Sequence, residues 1–339
     1  PRCAGPARRE VETMDTFVVF FFLFGVYRDL HNQGAPFDPG KARDWLPVDV
    51  YVGGPEHSTM HLLYFRFWAM VMQELGLCTA EDPVEQLICQ GIVNGPDGRK
   101  MGKRWGNVVP PARMVERYGA DATRTFVMFA GPPDRDIQWS DEQADGCSRF
   151  LLRVWRLAWT HRAAADARHE GDFAGEALRV RRAAHRTLAQ VTTDIERHSF
   201  NTAIARCMEL VNLLTPIEPS DDPALATAMT EAVRLLCFML APFAPHLADE
   251  IGGQYGFAGS LQAERWPQHD PALVVAERAT YGVQVNGRVR AQVELAADAD
   301  EAAVRAAAEA DDNVQAHLDG KSIHKVIFVR RRLINFVAR

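Results

Sequence analysis

Apolar residues at 50–52 form a short run that stops at Gly53-Gly54, and beyond it Leu62, Leu63, Phe65, Phe67, Met70, Val71 and Leu75 recur at helical spacing within residues 56–76. The pattern predicts a strand, a tight turn and a helix. Glycines at such a turn let a ligand approach the backbone, and the helix start beyond it offers N–H groups to an anionic or polar group, so a nucleotide would fit. A second buried strand is predicted over residues 86–93, running into the turn-rich Asn94-Gly95-Pro96-Asp97-Gly98 and a flexible stretch that carries Arg99, Lys100, Lys103 and Arg104. These cations suit a polyphosphate. Adenylate formation, in which a carboxylate attacks an α-phosphate, depends more on stabilising the departing pyrophosphate than on an acid or base. Lys100 and Lys103 are the candidates for that role.

Downstream the period becomes helical. Helices are predicted at 111–118 and 120–130, closed by Gly131-Pro132-Pro133, and then over 142–165, 174–198, 201–214 and 223–252, with breaks such as residues 215–222. This is a helical bundle. Arg149, Arg153, Arg156, Arg181, Arg182 and Arg186 either follow a phosphate backbone or are simply solvated. Composition shifts across 266–276, after which two strands flank Asn286-Gly287, a pair suited to a type I′ hairpin turn. Helices at 300–310 and 313–318 and strands at 325–329 and 333–337 around Arg330-Arg331-Arg332 complete a small α+β module with basic residues at its strand ends. The expected order is thus an α/β half-domain (1–109), connecting helices (110–145), the bundle (146–265) and the C-terminal module (276–339).

With 339 residues, 47% of them hydrophobic, there is material for two or three cores. The net charge of −6 argues against affinity for nucleic acid along the whole chain, so any RNA contact must be patchy. Cysteines at 3, 78, 89, 147, 207 and 237 form no Cys-x-x-Cys pair, which points to reduced thiols in a cytosol. The apolar run at residues 17–26 falls short of the ~20 residues needed to span a bilayer, and Glu10, Glu12 and Asp15 spoil a signal-like flank, so no membrane is expected. His57 and His61 stand one helical turn apart, but no third ligand is evident nearby, and no bound metal is expected.

Two of these stretches carry a resemblance. Lys100-Met101-Gly102-Lys103-Arg104 resembles the KMSKS loop of class I aminoacyl-tRNA synthetases, and Gly53-Gly54-Pro55-Glu56-His57 resembles the Gly-Gly-x-Glu-His turn of leucyl-tRNA synthetases. Gly106-Asn107-Val108-Val109, Tyr118-Gly119-Ala120-Asp121-Ala122 and Trp139-Ser140-Asp141-Glu142 follow in the order seen in that family. The resemblance implies an α/β Rossmann-like half-domain, stem-contact-like helices over 110–145, an anticodon-binding-like bundle and a small α+β C-terminal tRNA-binding domain, in a cytoplasmic ligase. It implies ATP, accompanied by Mg2+, against Gly53, Gly54, Glu56, Gln90, Gly91, Ile92, Lys100, Met101 and Lys103, with His57 and His61 lining the amino-acid pocket. It implies tRNA(Leu) as partner, with Arg288, Arg290, Lys321 and Lys325 on its phosphates.

The departures from the family pattern concern chemistry. Val19-Phe20-Phe21-Phe22-Leu23 stands where the family carries Asp-Ser-Ser-Trp-Tyr, the KMSKS serines are Gly102 and Arg104, and no His-x-Gly-His occurs. The chain opens at Pro1 and has no room for an editing domain, so it is expected to be a piece of a longer product. Leucylation is therefore expected only when a half carrying the HIGH motif is supplied in cis or by another chain. The alternative is a degenerate paralogue that serves as a non-catalytic tRNA-binding module or activates another carboxylate.

Overall fold

In the computed structural model the described residues are 5–6, 8–9, 11–13, 27–274, 278–296, 299–330 and 332–339. The apolar run at 17–26, the 19–23 replacement and Arg331 lie outside them. The first helix among the described residues, α1 (Pro39–Trp45), starts where the Asp38 side chain accepts from the amides of Gly40 and Lys41 and Pro39 takes the first turn. Strand β1 (Val48–Gly53) and strand β2 (Val84–Cys89) are parallel, in register from Val48↔Val84 to Gly53↔Cys89. Parallel pairing requires a crossover. It is made by α2 (Glu56–Thr59) and α3 (His61–Glu74), so the predicted single helix over 56–76 is broken at Met60, whose φ of −107° and ψ of −91° are not helical.

The apolar stripe of α3 is also divided. Phe65, Ala69 and Met72 are buried against Phe37, Ala42 and Cys78, whereas Leu63, Phe67 and Met70 face outward with exposures of about 60%. A second correction concerns residues 86–93. The strand ends at Cys89, and only Val93–Asn94 (β3) resumes pairing, in parallel with β4 (Ile137–Gln138). The interruption has a steric cause: a Cβ on Gly91 would lie 2.1 Å from the carbonyl carbon and oxygen of Arg135. The strand leaves its ladder because two main chains meet there.

Helices α4 (Pro111–Tyr118) and α5 (Ala120–Phe129) follow, and then α6 (Asp141–His161), α7 (Gly175–Glu196), α8 (Phe200–Leu214) and α9 (Pro223–Leu240). The predicted helix over 223–252 is two helices, because α9 ends near Pro242 and α10 (Pro245–Gln254) begins afresh at a proline. Leu188, Val191, Ile204, Leu210, Leu214, Met229 and Met239 fill one continuous core, each burying side-chain area that stabilises by roughly 1.5–3 kcal/mol. Helix α9 has the length and apolarity of a membrane span, but most of its length is buried in this core. Asp121 on α5 accepts from the Leu247 amide at 2.7 Å and so caps α10.

Not all the bundle arginines are solvated. Arg181 forms two hydrogen bonds to Glu231, and His185 Nε2 lies 2.9 Å from the same carboxylate. The Asp270 amide donates to His185 Nδ1 and Trp266 Nε1 donates to Thr192, which lays residues 266–270 and the short α11 (Pro271–Val274) on α7.

The C-terminal module is a four-stranded sheet in the order β6-β5-β8-β7, built from β5 (Arg278–Val285), β6 (Arg288–Ala296), β7 (Ile323–Val329) and β8 (Leu333–Ala338). Asn286 and Gly287 both have positive φ, 50° and 79°, as the predicted type I′ turn demands. Helices α12 (Glu301–Glu309) and α13 (Asp312–Leu318) place Val304, Ala308 and Val314 against Tyr281, Val283, Ile334 and Phe336.

Burial is the largest single influence on Glu231 and pushes its carboxyl up, but hydrogen bonds from His185 and Arg181, with the charge of Arg181, outweigh it and hold the pKa at about 2. A carboxylate depressed from 4.5 to about 2 contributes stability above pH 4.5 that is lost as pH falls toward 2. Glu231→Gln is therefore expected to cost about 2–3 kcal/mol at pH 7 and to flatten the acid limb between those values. Urea unfolding followed by helical circular dichroism at pH 7 and pH 3 measures both, and equal parental and variant slopes would contradict the assignment.

Candidate functional site

Parallel strands end together, and here the ends of β1 and β2 frame a cavity of about 460 Å3. Its wall includes Gly53, Gly54, Glu56, His57, Gln90, Gly91, Ile92, Lys100 and Met101, which brings together nearly the whole predicted nucleotide set. The Gln90 amide donates to the Gly53 carbonyl at 2.8 Å, so the two strand exits are tied to one another. A Cβ on Gly54 would lie 2.6 Å from a Glu56 carboxylate oxygen, so the second glycine makes room for that side chain. The carboxyl of Glu56 is held below its ordinary value, first by its own backbone N–H at the start of α2 and then by the charges of Lys100 and His57. The helix start that sequence reasoning offered to a ligand is thus met by Glu56 itself.

His61 is buried beside β1, with Nδ1 2.7 Å from the Tyr51 hydroxyl and its ring stacked on Phe65, and burial lowers its pKa. It supports the strand, while His57 alone of the pair reaches the cavity. Among the described residues no three His, Cys, Asp or Glu side chains converge as a metal would require.

The basic stretch is an ordered, hydrogen-bonded loop rather than a loose one. Asn94 bridges Lys100 in antiparallel fashion, the Gly95 amide donates to the Arg99 carbonyl, and Lys103–Trp105 forms a single 3₁₀ turn that ends at Gly106, with a φ of 63°. Asn107 holds the loop from within. Its Oδ1 accepts from the Gly102 amide at 2.9 Å, and its Nδ2 donates to Asp97 at 2.9 Å and to the Arg99 carbonyl at 3.3 Å. Met101 packs against the buried Met114, Phe126 and Trp139. Lys100 lies 3.6 Å from Glu56, so the loop closes on the glycine turn. Lys103 stands outside the cavity wall, and among the described residues no hydrogen bond or ion pair engages its side chain.

Sequence reasoning missed Tyr51, Asn107 and Asp136. Asp136 Oδ1 accepts from the Ile92 amide at 2.7 Å and so orients the exit of β2. Asn107 sat inside a quoted motif, but its three-way clamp has no periodicity to betray it, and the Asp136 contact spans 44 residues.

In the C-terminal module, Arg288 follows the hairpin turn, and the ladder carries its row through Val285 and Phe336 to Val326, beside Lys325. Lys321 precedes β7 at the same end of the sheet, its Nζ donating to the His317 carbonyl at 2.8 Å. Arg290 differs, because its Nε is buried without a hydrogen-bond partner and its carbonyl accepts from Asn313. Three of the four predicted cations lie at one end of the sheet.

Two described families match the chain, tRNA synthetases class I (I, L, M and V) over residues 24–140 and the anticodon-binding domain of tRNA ligase over residues 179–305. A leucine–tRNA ligase of Citrifermentans bemidjiense is 44% identical over 99% of the chain and 41% of its own length. One from Herpetosiphon aurantiacus is 41% identical over the full chain and 41% of its own length. The chain therefore spans about two fifths of these relatives. A solved Agrobacterium radiobacter K84 agnB2 LeuRS, in a ternary complex with tRNA and LeuAMS, superposes with a TM-score of 0.87 and 33% identity, covering 100% of the chain and 44% of that one.

Gly91 is where the site is most exposed to a single methyl group. Gly91→Ala is expected to force residues 90–92 away from residues 133–137, breaking the bond from the Gly91 amide to the Pro133 carbonyl, 2.7 Å long in the parent, at a cost of about 1–3 kcal/mol or more. Hydrogen exchange at the Ile92 and Ile137 amides should rise by tenfold or more on the order set by that cost. Parental protection at both amides would show that the backbones can part freely.

Proposed function

The chain belongs to the leucine–tRNA ligase family of class I tRNA synthetases, and we propose that it forms the polyphosphate side of an amino-acid activation site together with the domains that hold tRNA. ATP, with Mg2+ bound to its phosphates, lies against Gly53-Gly54 and residues 90–92, and Lys100 and Lys103 stabilise the charge that develops on pyrophosphate as a carboxylate attacks the α-phosphate. The observation that most supports this is the convergence of the glycine turn, residues 90–92 and Lys100 on one cavity, with Lys103 available beside it. His57 faces the amino-acid end. Leucylation of tRNA(Leu) draws on the rest of the family's length, in cis or on another chain.

Arg288, Lys321 and Lys325, at one end of the sheet, contact tRNA phosphates, and the partly buried Arg290 serves the module's packing instead. The described cysteines, at 78, 89, 147, 207 and 237, are all free thiols, in keeping with work in a cytoplasm.

Calorimetry with ATP and Mg2+ tests the nucleotide half: saturable binding is expected, weakened about tenfold by Lys103→Ala through loss of one charge-assisted contact. Filter binding of tRNA(Leu) across a salt series tests the other half. Arg288→Ala and Lys325→Ala are each expected to flatten the slope of log affinity against log salt by about 0.7–0.9. Retained tRNA binding with no ATP binding would replace this reading with a non-catalytic RNA-binding module, and unchanged slopes would return the sheet end to a solvated surface.

A further inference from the structure

The basic loop carries four cations, and they are not equivalent. Lys100 is paired with Glu56, and Arg99 with Asp97 at 2.8 Å. Arg99 and Arg104 also lie over the ring of Trp105, their guanidinium carbons 4.9 and 4.3 Å from its centroid. Trp105 itself is about half exposed and makes no part of the buried cluster beneath the loop. Its indole rests on Gly102, where an added Cβ would approach Cδ1 to 3.2 Å, closer than an unmoved ring tolerates comfortably. Glycine at 102 and tryptophan at 105 therefore belong together: the absence of a side chain at one position is what seats the other.

We infer that Trp105 is the positioning residue of this loop. By holding Arg99 and Arg104 on its ring it keeps both guanidiniums off the cavity, fixes the 3₁₀ turn and leaves Lys103 as the cation presented to an incoming polyphosphate. The polyphosphate part of this inference rests on the function proposed above; the positioning part does not. Each exposed cation–π contact shifts an open-to-closed equilibrium by roughly 2.3- to 5.4-fold, so losing both frees the loop by about five- to thirtyfold.

Trypsin reads the loop directly, because it cuts after Arg99, Lys100, Lys103 and Arg104, and mass spectrometry identifies fragments ending there. Trp105→Ser is expected to raise nicking at these four bonds by about five- to thirtyfold, whereas Trp105→Phe, which keeps an aromatic face, stays within about threefold of the parent. Gly102→Ser should raise nicking in the parent but add little in the Trp105→Ser background, since the ring it displaces is already gone. Parental nicking in Trp105→Ser, or equal nicking in the Ser and Phe variants, would overturn the positioning role whatever the loop binds. Inorganic pyrophosphate then tests what is positioned. Lys103→Ala is expected to weaken its binding about tenfold in the parent and less than about threefold in Trp105→Ser, where the released arginines substitute. An equal loss in both backgrounds would show that Trp105 does not select Lys103. Failure of pyrophosphate to bind the parent at all would sink the nucleotide reading and the selection of Lys103 with it, leaving the nicking ratio to decide the loop.

Discussion

Two stretches of main chain pass at Gly91 and Arg135 so closely that no side-chain carbon fits between them, and most of the site depends on that contact. It ends β2, turns residues 90–92 toward the glycine turn of β1, and is flanked by the bonds from Gly91 to Pro133 and from Ile92 to Asp136. Residues 133–137 lead through β4 into α6, so the same contact joins the α/β unit to the first long helix of the bundle. A packing constraint of this kind transmits position because folded interiors are dense and do not deform continuously. The cavity and the bundle are registered to each other through one missing methyl group.

What could be read from the chain follows the reach of its signals. The strand, glycine turn and cations are local patterns, as is the Asn286-Gly287 turn, and each lies where its residues put it. Breaks were harder to see. Met60 is itself a good helix former and chemically ordinary, so nothing at that residue marks the change from α2 to α3. The end of β2 comes from a neighbour more than forty residues away, and Glu231 draws Arg181 inward from what reads as a solvated face across 50 residues. The pair His57 and His61 shows the same limit, since their spacing places both near the turn but does not say that His57 is the one in the wall of the cavity. Prolines at 242 and 245 did announce the break between α9 and α10, and their helix-starting role explains why a continuous apolar pattern outweighed them.

The loop shows how a degenerate motif remains coherent. Replacing two small hydroxyl residues by glycine and arginine, and adding a tryptophan, changes volume and charge together. Those changes compensate for each other locally, because the indole occupies the space above Gly102 and takes up the added guanidinium. Such mutual support between neighbouring choices is what a folded sequence needs if it is to keep one conformation. The anchors common to the loop's surroundings, Met101 in its apolar cluster and Asn107 in its clamp, are untouched.

The bonds from Trp266 to Thr192 and from Asp270 to His185 carry the packing of the bundle almost to the first strand of the C-terminal module. With residues 266–274 laid on α7, the covalent tether counts four chain steps from Val274 to Arg278, a span that cannot exceed about 14 Å. A ligand gripped by both bundle and module then finds the second grip at a very high local concentration, so two weak contacts multiply into avidity without any new bond. The converse also holds. A ligand whose two contact points do not match that short span is gripped only once, so the tether acts as a ruler that selects ligands by their dimensions.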